Sequence, residues 1–230
     1  MGRSFNGTSD KGVSSLDLSS YSTITCAFWM WVNAFSGTTR YGVAYAAPQT
    51  TGSGFFVQAY NTTGGIVSPT CGMFVATSHL WYDKFAAPVA ASWHHYCYIG
   101  TRATPVNAMY LDGAVATLTT VTHTAATYGN YGVNKMIETG SSNGALFLAG
   151  RLAEITVWGG VTLTASEAKA LSLGANPFVV HPDGIVFYAP LFGADSPEPD
   201  YSGAQKNVTL TGTAYTAPPG AILKAGGVVL

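Results

Sequence analysis

Short apolar runs alternate with clusters of Gly, Ser, Asn and Pro along almost the whole chain, the spacing expected of an all-β sandwich or barrel. From Ser22 to Val32, the residues Ile24, Cys26, Phe28, Met30 and Val32 take one face of a strand, while Thr23, Thr25, Ala27, Trp29 and Trp31 take the other. Both faces are largely apolar, so the pattern predicts a central strand covered on both sides. Further strands are predicted from Tyr41 to Tyr45, Gly54 to Tyr60, Gly72 to Thr77 and Trp93 to Ile99. Asp112-Gly113 suits a two-residue primed turn between Met109-Tyr110-Leu111 and Ala114-Val115-Ala116. A second Asp-Gly pair, Asp183-Gly184, precedes the run Ile185 to Tyr188. One short helix is predicted to begin at Thr164, whose hydroxyl caps the backbone while Glu167 reaches back, and to end near Gly174.

Residues 193–203, with Pro197, Pro199 and three acids, read as a surface loop, after which strand character resumes at Val208 to Leu210. The apolar segment 221–230 reads as a last strand or as a piece that docks on a neighbour. No fixed-period repeat interrupts residues 1–230, which read as a single domain.

Composition sharpens this picture. Hydrophobic residues make up 47% of the chain and aromatics 13%, enough apolar surface for a large core. Charged residues make up only 9%, against about 25% in typical soluble domains, so the surface is built mainly from Thr, Ser, Gly, Ala and Asn. Ten basic and eleven acidic residues leave a net charge of -1, with no basic run to meet a row of phosphates. Nucleic acid is excluded as an expected partner, and weak self-repulsion favours association. No apolar stretch is long enough to span a bilayer, and MGRSFNGTSD lacks the features of a secretory signal, so synthesis in a cytoplasm is expected. Cys26, Cys71 and Cys97 form no Cys-x-x-Cys pair and read as buried thiols, not as a disulfide framework or zinc site.

Several stretches, in order, resemble the concanavalin A-like, laminin-G-like jelly roll found in extracellular modules and bacteriophage proteins. Ser4-Phe5-Asn6-Gly7 through Val13 is similar to its first edge strand, and Thr23 to Val32 to its aromatic second strand. Trp93-His94-His95-Tyr96-Cys97 resembles its Trp-x-His strand, and Tyr110-Leu111-Asp112-Gly113 its Tyr-x-Asp-Gly hairpin. Gly150 to Trp158, followed by Leu163-Thr164 and Glu167, resembles its penultimate strand and short helix, with Glu154 in place of the usual Asp. Pro182 to Leu191, followed by Asp200-Tyr201-Ser202-Gly203, is similar to a tail that follows such domains in phage-derived sequences. The resemblance implies a two-sheet antiparallel jelly-roll sandwich.

The resembled family includes glycosidases, which need paired carboxylates on one face. Glu198-Pro199-Asp200 has the residue types but reads as a loop. His94 and His95 are adjacent on a strand and point to opposite faces, so both cannot hold one metal ion. No Ser-His-Asp spacing or nucleophile elbow is apparent. The glycine-rich stretches 51–54 and 63–65 lack the Lys and helix of a phosphate loop. Asp112 and Asp183 are accounted for by turn geometry, and no acidic cluster suggests calcium. No cofactor, metal or catalytic residue is expected. Trp29, Trp31 and Trp158 read as core residues. Trp81 and Tyr82, near the turn-like Ser78-His79 and Asp83-Lys84, are the candidates for contact with a sugar or another subunit. The reading that follows is a non-catalytic bacteriophage virion surface protein, a capsid decoration or a head or tail appendage, self-associating and touching other virion proteins. A carbohydrate-binding lectin is the alternative, and a glycosidase ranks last.

Overall fold

The computed structural model describes residues 2–35, 39–47, 53–61, 68–75, 78–103, 106–123, 129–132, 135–193 and 196–217. The predicted segments at 51–52, 63–65 and 221–230 lie outside them. Two antiparallel sheets of eight strands each face one another, the jelly-roll sandwich that the resemblance implied. Sheet A contains β1 (Gly2–Asn6), β3 (Thr23–Val32), β8 (Trp93–Thr101), β9 (Val106–Leu111), β10 (Ala114–Val115), β13 (Ala149–Gly159), β14 (Ile185–Ala189) and β16 (Ala214–Thr216). They run in the order β10-β9-β8-β3-β13-β1-β16, with β14 also paired to β13. Sheet B contains β2 (Lys11–Leu16), β4 (Arg40–Ala47), β5 (Ser53–Asn61), β6 (Ser68–Val75), β7 (Ser78–Lys84), β11 (Thr119–His123), β12 (Lys135–Thr139) and β15 (Thr209–Thr211). Its order is β11-β7-β6-β5-β4-β12-β2-β15.

The period-2 pattern of β3 fixes both layers around it. Its face of Ile24, Cys26, Phe28, Met30 and Val32 joins the inter-sheet core with Val43, Tyr45, Phe55, Val57 and Met73 of sheet B. Phe55 and Tyr98 stack across the sandwich at 5.8 Å. On the outer face of sheet A, Ala27, Cys97 and Trp158 are covered by Leu163 and by Ala168 and Leu171 of α1 (Ala165–Ser172). Helix α1 starts with the capping box read from Thr164 and Glu167. It is followed by a one-turn helix α2 (Pro177–Val180), and Trp158 Nε1–H donates to the His181 carbonyl at 2.9 Å, pinning the segment after α2.

The Asp112-Gly113 turn has positive φ at both residues, 53° and 76°, as a primed hairpin turn requires. It also seats the helix. A side chain at Gly113 would lie 2.7 Å from Lys169 Cα, so only glycine lets α1 approach this closely.

Three sequence expectations need correction. Ser78-His79 and Asp83-Lys84 are not turns but part of β7, a strand hydrogen-bonded to both β6 and β11. There is a second short helix, α2, which Asn176 caps by accepting from Phe178 N at 2.9 Å. Within the loop 193–203, Glu198 and Asp200 are turned inward and buried, and Glu198 forms a backbone bridge with Val208. All three cysteines are free and buried, and burial pushes the Cys97 thiol up to about 12.

Arg3 and Glu198 form a buried ion pair at 2.8 Å, and the second Glu198 oxygen accepts from Gly193 N at 3.0 Å. Arg3→Met leaves that carboxylate buried without its cation and is expected to lower unfolding free energy by about 3–5 kcal/mol in urea denaturation. Adding Glu198→Leu is expected to recover part of the loss.

Candidate functional site

Helices α1 and α2 cover only part of the outer face of sheet A. Where the cover stops, an open recess of about 110 Å³ remains, walled by Ala27, Trp29, Leu171 and Pro177. The polar residues around it are His95, Glu154, Thr156, Asn176 and Tyr188, of which Thr156 is fully buried and Asn176 exposed. Trp29 and His95 are cross-strand partners on β3 and β8, and their rings meet edge to face at 5.3 Å. Tyr188 lies opposite Thr156 across β13 and β14.

Glu154 reaches the recess because β13 is irregular there. The pairing of β13 with β3 shifts between Ala153 and Thr156, and Glu154 sits in the left-handed region at φ 55°. An extra residue in one strand bends it and redirects a side chain, at a conformational cost for any residue but glycine. The Glu154 amide is satisfied by the Pro190 carbonyl at 3.1 Å. Its carboxyl accepts from the Tyr188 hydroxyl at 2.5 Å. Burial raises the Glu154 pKa, an effect the Tyr188 hydrogen bond only partly offsets. Tyr188 is shifted up, first by burial and then by the neighbouring carboxylate, so its hydroxyl stays protonated and keeps donating. His95 is pushed down to about 3 by burial and is neutral. Behind its wall, His95 Nδ1 and Thr156 Oγ1 are shut off from solvent and have no hydrogen-bond partner among the described residues.

From this recess a row of aromatic rings runs outward. Phe178 meets Tyr188 at 5.5 Å, Tyr188 meets Tyr201 at 6.3 Å, and Tyr201 meets Phe192 at 5.8 Å. Phe178, Tyr201 and Phe192 are exposed, and Val179 beside Phe178 is 80% exposed.

Trp81 and Tyr82 project from opposite faces of β7 and do not make one two-ring surface. Tyr82 is buried with Tyr41, Phe56 and Phe74 on the outer side of sheet B. Trp81 is half-buried against the main core, and one of its ring faces is already stacked on His123 at 3.7 Å. His123 is held in turn by the buried Asp83 at 2.7 Å. Trp158 and Trp29 are buried, as expected, Trp29 also bordering the recess, whereas Trp31 is half-buried beneath the Arg151 guanidinium at 4.6 Å.

His94 and His95 do separate to opposite faces. The structure also assembles a chain that the sequence spacing did not suggest: Ser92 Oγ lies 2.8 Å from His94 Nε2, and His94 Nδ1 lies 2.7 Å from Asp112. Its partners make it a clamp. The Val89 carbonyl lies 2.9 Å from His94 Nε2, so the imidazole is tied to the backbone as well as to Ser92 and Asp112. Ser92 also donates to the Val89 carbonyl, and Asp112 holds the His95 amide as well. Glu198 and Asp200 are likewise engaged, Glu198 by Arg3 and Asp200 by the backbone amides of Tyr188, Ser202 and Lys206. Among the described residues, no three His, Cys, Asp or Glu side chains are grouped to hold a metal ion.

No family model and no curated protein matches the chain in sequence. Solved structures do match in fold. A protein of Bacteroides ovatus described as a candidate carbohydrate-binding protein superposes with a TM-score of 0.64 at 16% identity, covering 96% of this chain and 62% of that one. The heptameric SAP-like pentraxin of Limulus polyphemus gives 0.55 at 15% identity, over 74% of this chain and 81% of the pentraxin. Tailspike protein 2 of an Escherichia coli bacteriophage gives 0.54 at 12% identity, over 78% of this chain and 25% of the tailspike. The chain therefore spans less than two thirds of the Bacteroides protein and a quarter of the tailspike. At these identities the likeness is one of fold, a two-sheet jelly-roll sandwich.

The buried neutral His95 makes a distinct acid dependence. Unfolded, it binds a proton near 6.5, and folded only near 3. Between these values the unfolded state holds more protons, so stability is complete above pH 6.5 and falls on acidification towards 3. The slope from this residue approaches about 1.4 kcal/mol per pH unit. Urea midpoints measured across this range are expected to fall less steeply for His95→Gln than for the unsubstituted chain.

Proposed function

We propose that the chain is a non-catalytic contact module on the surface of a bacteriophage particle, serving as a capsid decoration or a head or tail appendage and docking on other virion proteins. The observation that carries this reading is the exposed aromatic row Phe178, Tyr201 and Phe192 with the neighbouring Val179. A run of rings with no charge among them is the kind of surface that forms the core of a protein contact. The inward turning of Arg3, Asp83, Glu138 and Glu198 supports it, since scarce charges spent inside leave the exterior dependent on apolar and backbone contacts. The stretch similar to a phage tail segment, Pro182 to Leu191 followed by Asp200 to Gly203, contributes Tyr201 to the row, and the fold likeness to a tailspike agrees with this setting.

A second reading, carbohydrate binding, is favoured by the fold likeness to the Bacteroides ovatus protein.

Cosedimentation of the full chain with phage particles assembled without it tests the first reading. Binding is expected to persist from about 50 to 500 mM salt, because few exposed charges are there to be screened. Tyr201→Ala or Phe192→Ala is expected to weaken it by about tenfold or more, as loss of a central ring contact does. Binding that collapses in moderate salt, or that ignores both substitutions, would overturn the proposal.

A further inference from the structure

We infer that the end of sheet A's outer face left open by the helices binds an acidic sugar unit, its carboxylate held by Arg151 and its ring laid against Trp93, which rests on the carbohydrate reading and gives it a site.

Strand register builds the platform. Trp93 lies opposite Trp31, Trp31 opposite Arg151, Arg151 opposite Ser4, and Ser4 opposite Ala214, so a single rung crosses β8, β3, β13, β1 and β16. Residues directly opposed across strands share a face, and alternation along β3 puts Trp31 on the side away from the inter-sheet core. From Trp93 to Ser4 the rung runs about 14 Å. Trp93, Trp31, Arg151 and Ser4 are each partly exposed, and Asn33, two residues beyond Trp31 on the same face, is exposed.

A charge without a counter-charge sets the ligand class. The Arg151 guanidinium lies over the Trp31 ring at 4.6 Å, yet it takes part in none of the ion pairs or side-chain hydrogen bonds among the described residues. Stacking on the indole fixes the plane of the guanidinium and leaves its N–H edge for a planar carboxylate. Trp93 meets Trp31 edge to face at 6.2 Å, which makes an apolar corner for the C–H side of a sugar ring. The Ser4 hydroxyl and the Asn33 amide group, also without partners among the described residues, can donate and accept as sugar hydroxyls do.

Other anions fit less well. β8, β3 and β13 are each paired on both sides, so no backbone edge is open here to an acidic peptide. A row of phosphates needs several cations, and Arg151 is the one cation of the rung.

Ligand-observed NMR on the full chain tests the site, with the methyl glycosides of glucuronic and galacturonic acid as probes, methyl glucoside and methyl galactoside as their neutral counterparts, and diglutamate and inorganic phosphate as controls. At least one acidic sugar is expected to bind with a Kd on the order of 1 mM, and about tenfold or more tighter than its neutral counterpart. Arg151→Met keeps an alkyl chain over Trp31 and is expected to erase that preference, while Arg151→Lys, which lacks the planar fork, retains only part of it. Trp93→Leu is expected to weaken binding of the acidic sugar about tenfold, with a melting curve recorded alongside to show that the variant is folded. An unchanged preference in Arg151→Met, or tighter binding of diglutamate or phosphate than of either acidic sugar, would overturn the site. Neutral sugars that bind as well as acidic ones overturn it and leave the carbohydrate reading standing, whereas silence from every sugar removes both. Particle docking is expected to be unchanged in Arg151→Met, so this site and the docking row can fail separately.

Discussion

A strand that is apolar on both sides imposes the architecture. Once Phe28 and Met30 on one face of β3 and Ala27 and Trp29 on the other must both leave water, sheet A needs two covers. Sheet B supplies the inner one through a broad aromatic and aliphatic core. The outer one comes from two short helices, fastened by the Trp158 indole to the His181 carbonyl and by the approach of Lys169 to the Asp112-Gly113 turn. Eight residues of α1 cannot span the whole face, and the recess is the geometric remainder of a cover too small for its sheet.

That remainder would be a simple apolar dent if β13 were regular. The irregularity at Glu154 places an acid where alternation would not, and the Tyr188 hydroxyl fixes its orientation. Strain at φ 55°, a desolvated carboxyl, a desolvated imidazole and an unpaired hydroxyl are gathered in one small volume. Elsewhere in the described residues, acids are matched with care, as with Asp83 between His123 and Asn107, or Glu138 accepting from Ser141 and the Gly144 amide. Buried polar atoms without partners also occur at Tyr96, Thr139 and Thr213, so what sets the recess apart is the redirected Glu154 carboxyl beside a neutral His95.

Elements that depend on local patterning were legible in the sequence. The two faces of β3, the Asp112-Gly113 hairpin and the Thr164–Glu167 capping box each follow from a few neighbouring residues, and each is present. What escaped depends on distant partners. Asp83 and Lys84 look like turn residues until β11 returns His123 to hydrogen-bond Asp83, forty positions away. The placement of Glu154 depends on the Pro190 carbonyl, and that of Tyr188 on the pairing of β14 with β13. The available signal was an acid between Leu152-Ala153 and Ile155 in an apolar strand, which marked a departure from the usual residue but not its destination. Trp81 and Tyr82 drew notice as adjacent aromatics, though strand alternation itself sends them to opposite sides.

The seating of α1 on a glycine turn has a further result. The recess is bounded on one side by the rigid sandwich and on the other by a helix whose position is set by a hairpin and two connecting segments outside the sheets. Substitutions in those connectors can widen, narrow or reshape the opening while the pleated layers stay untouched, so one scaffold can present many differently shaped mouths.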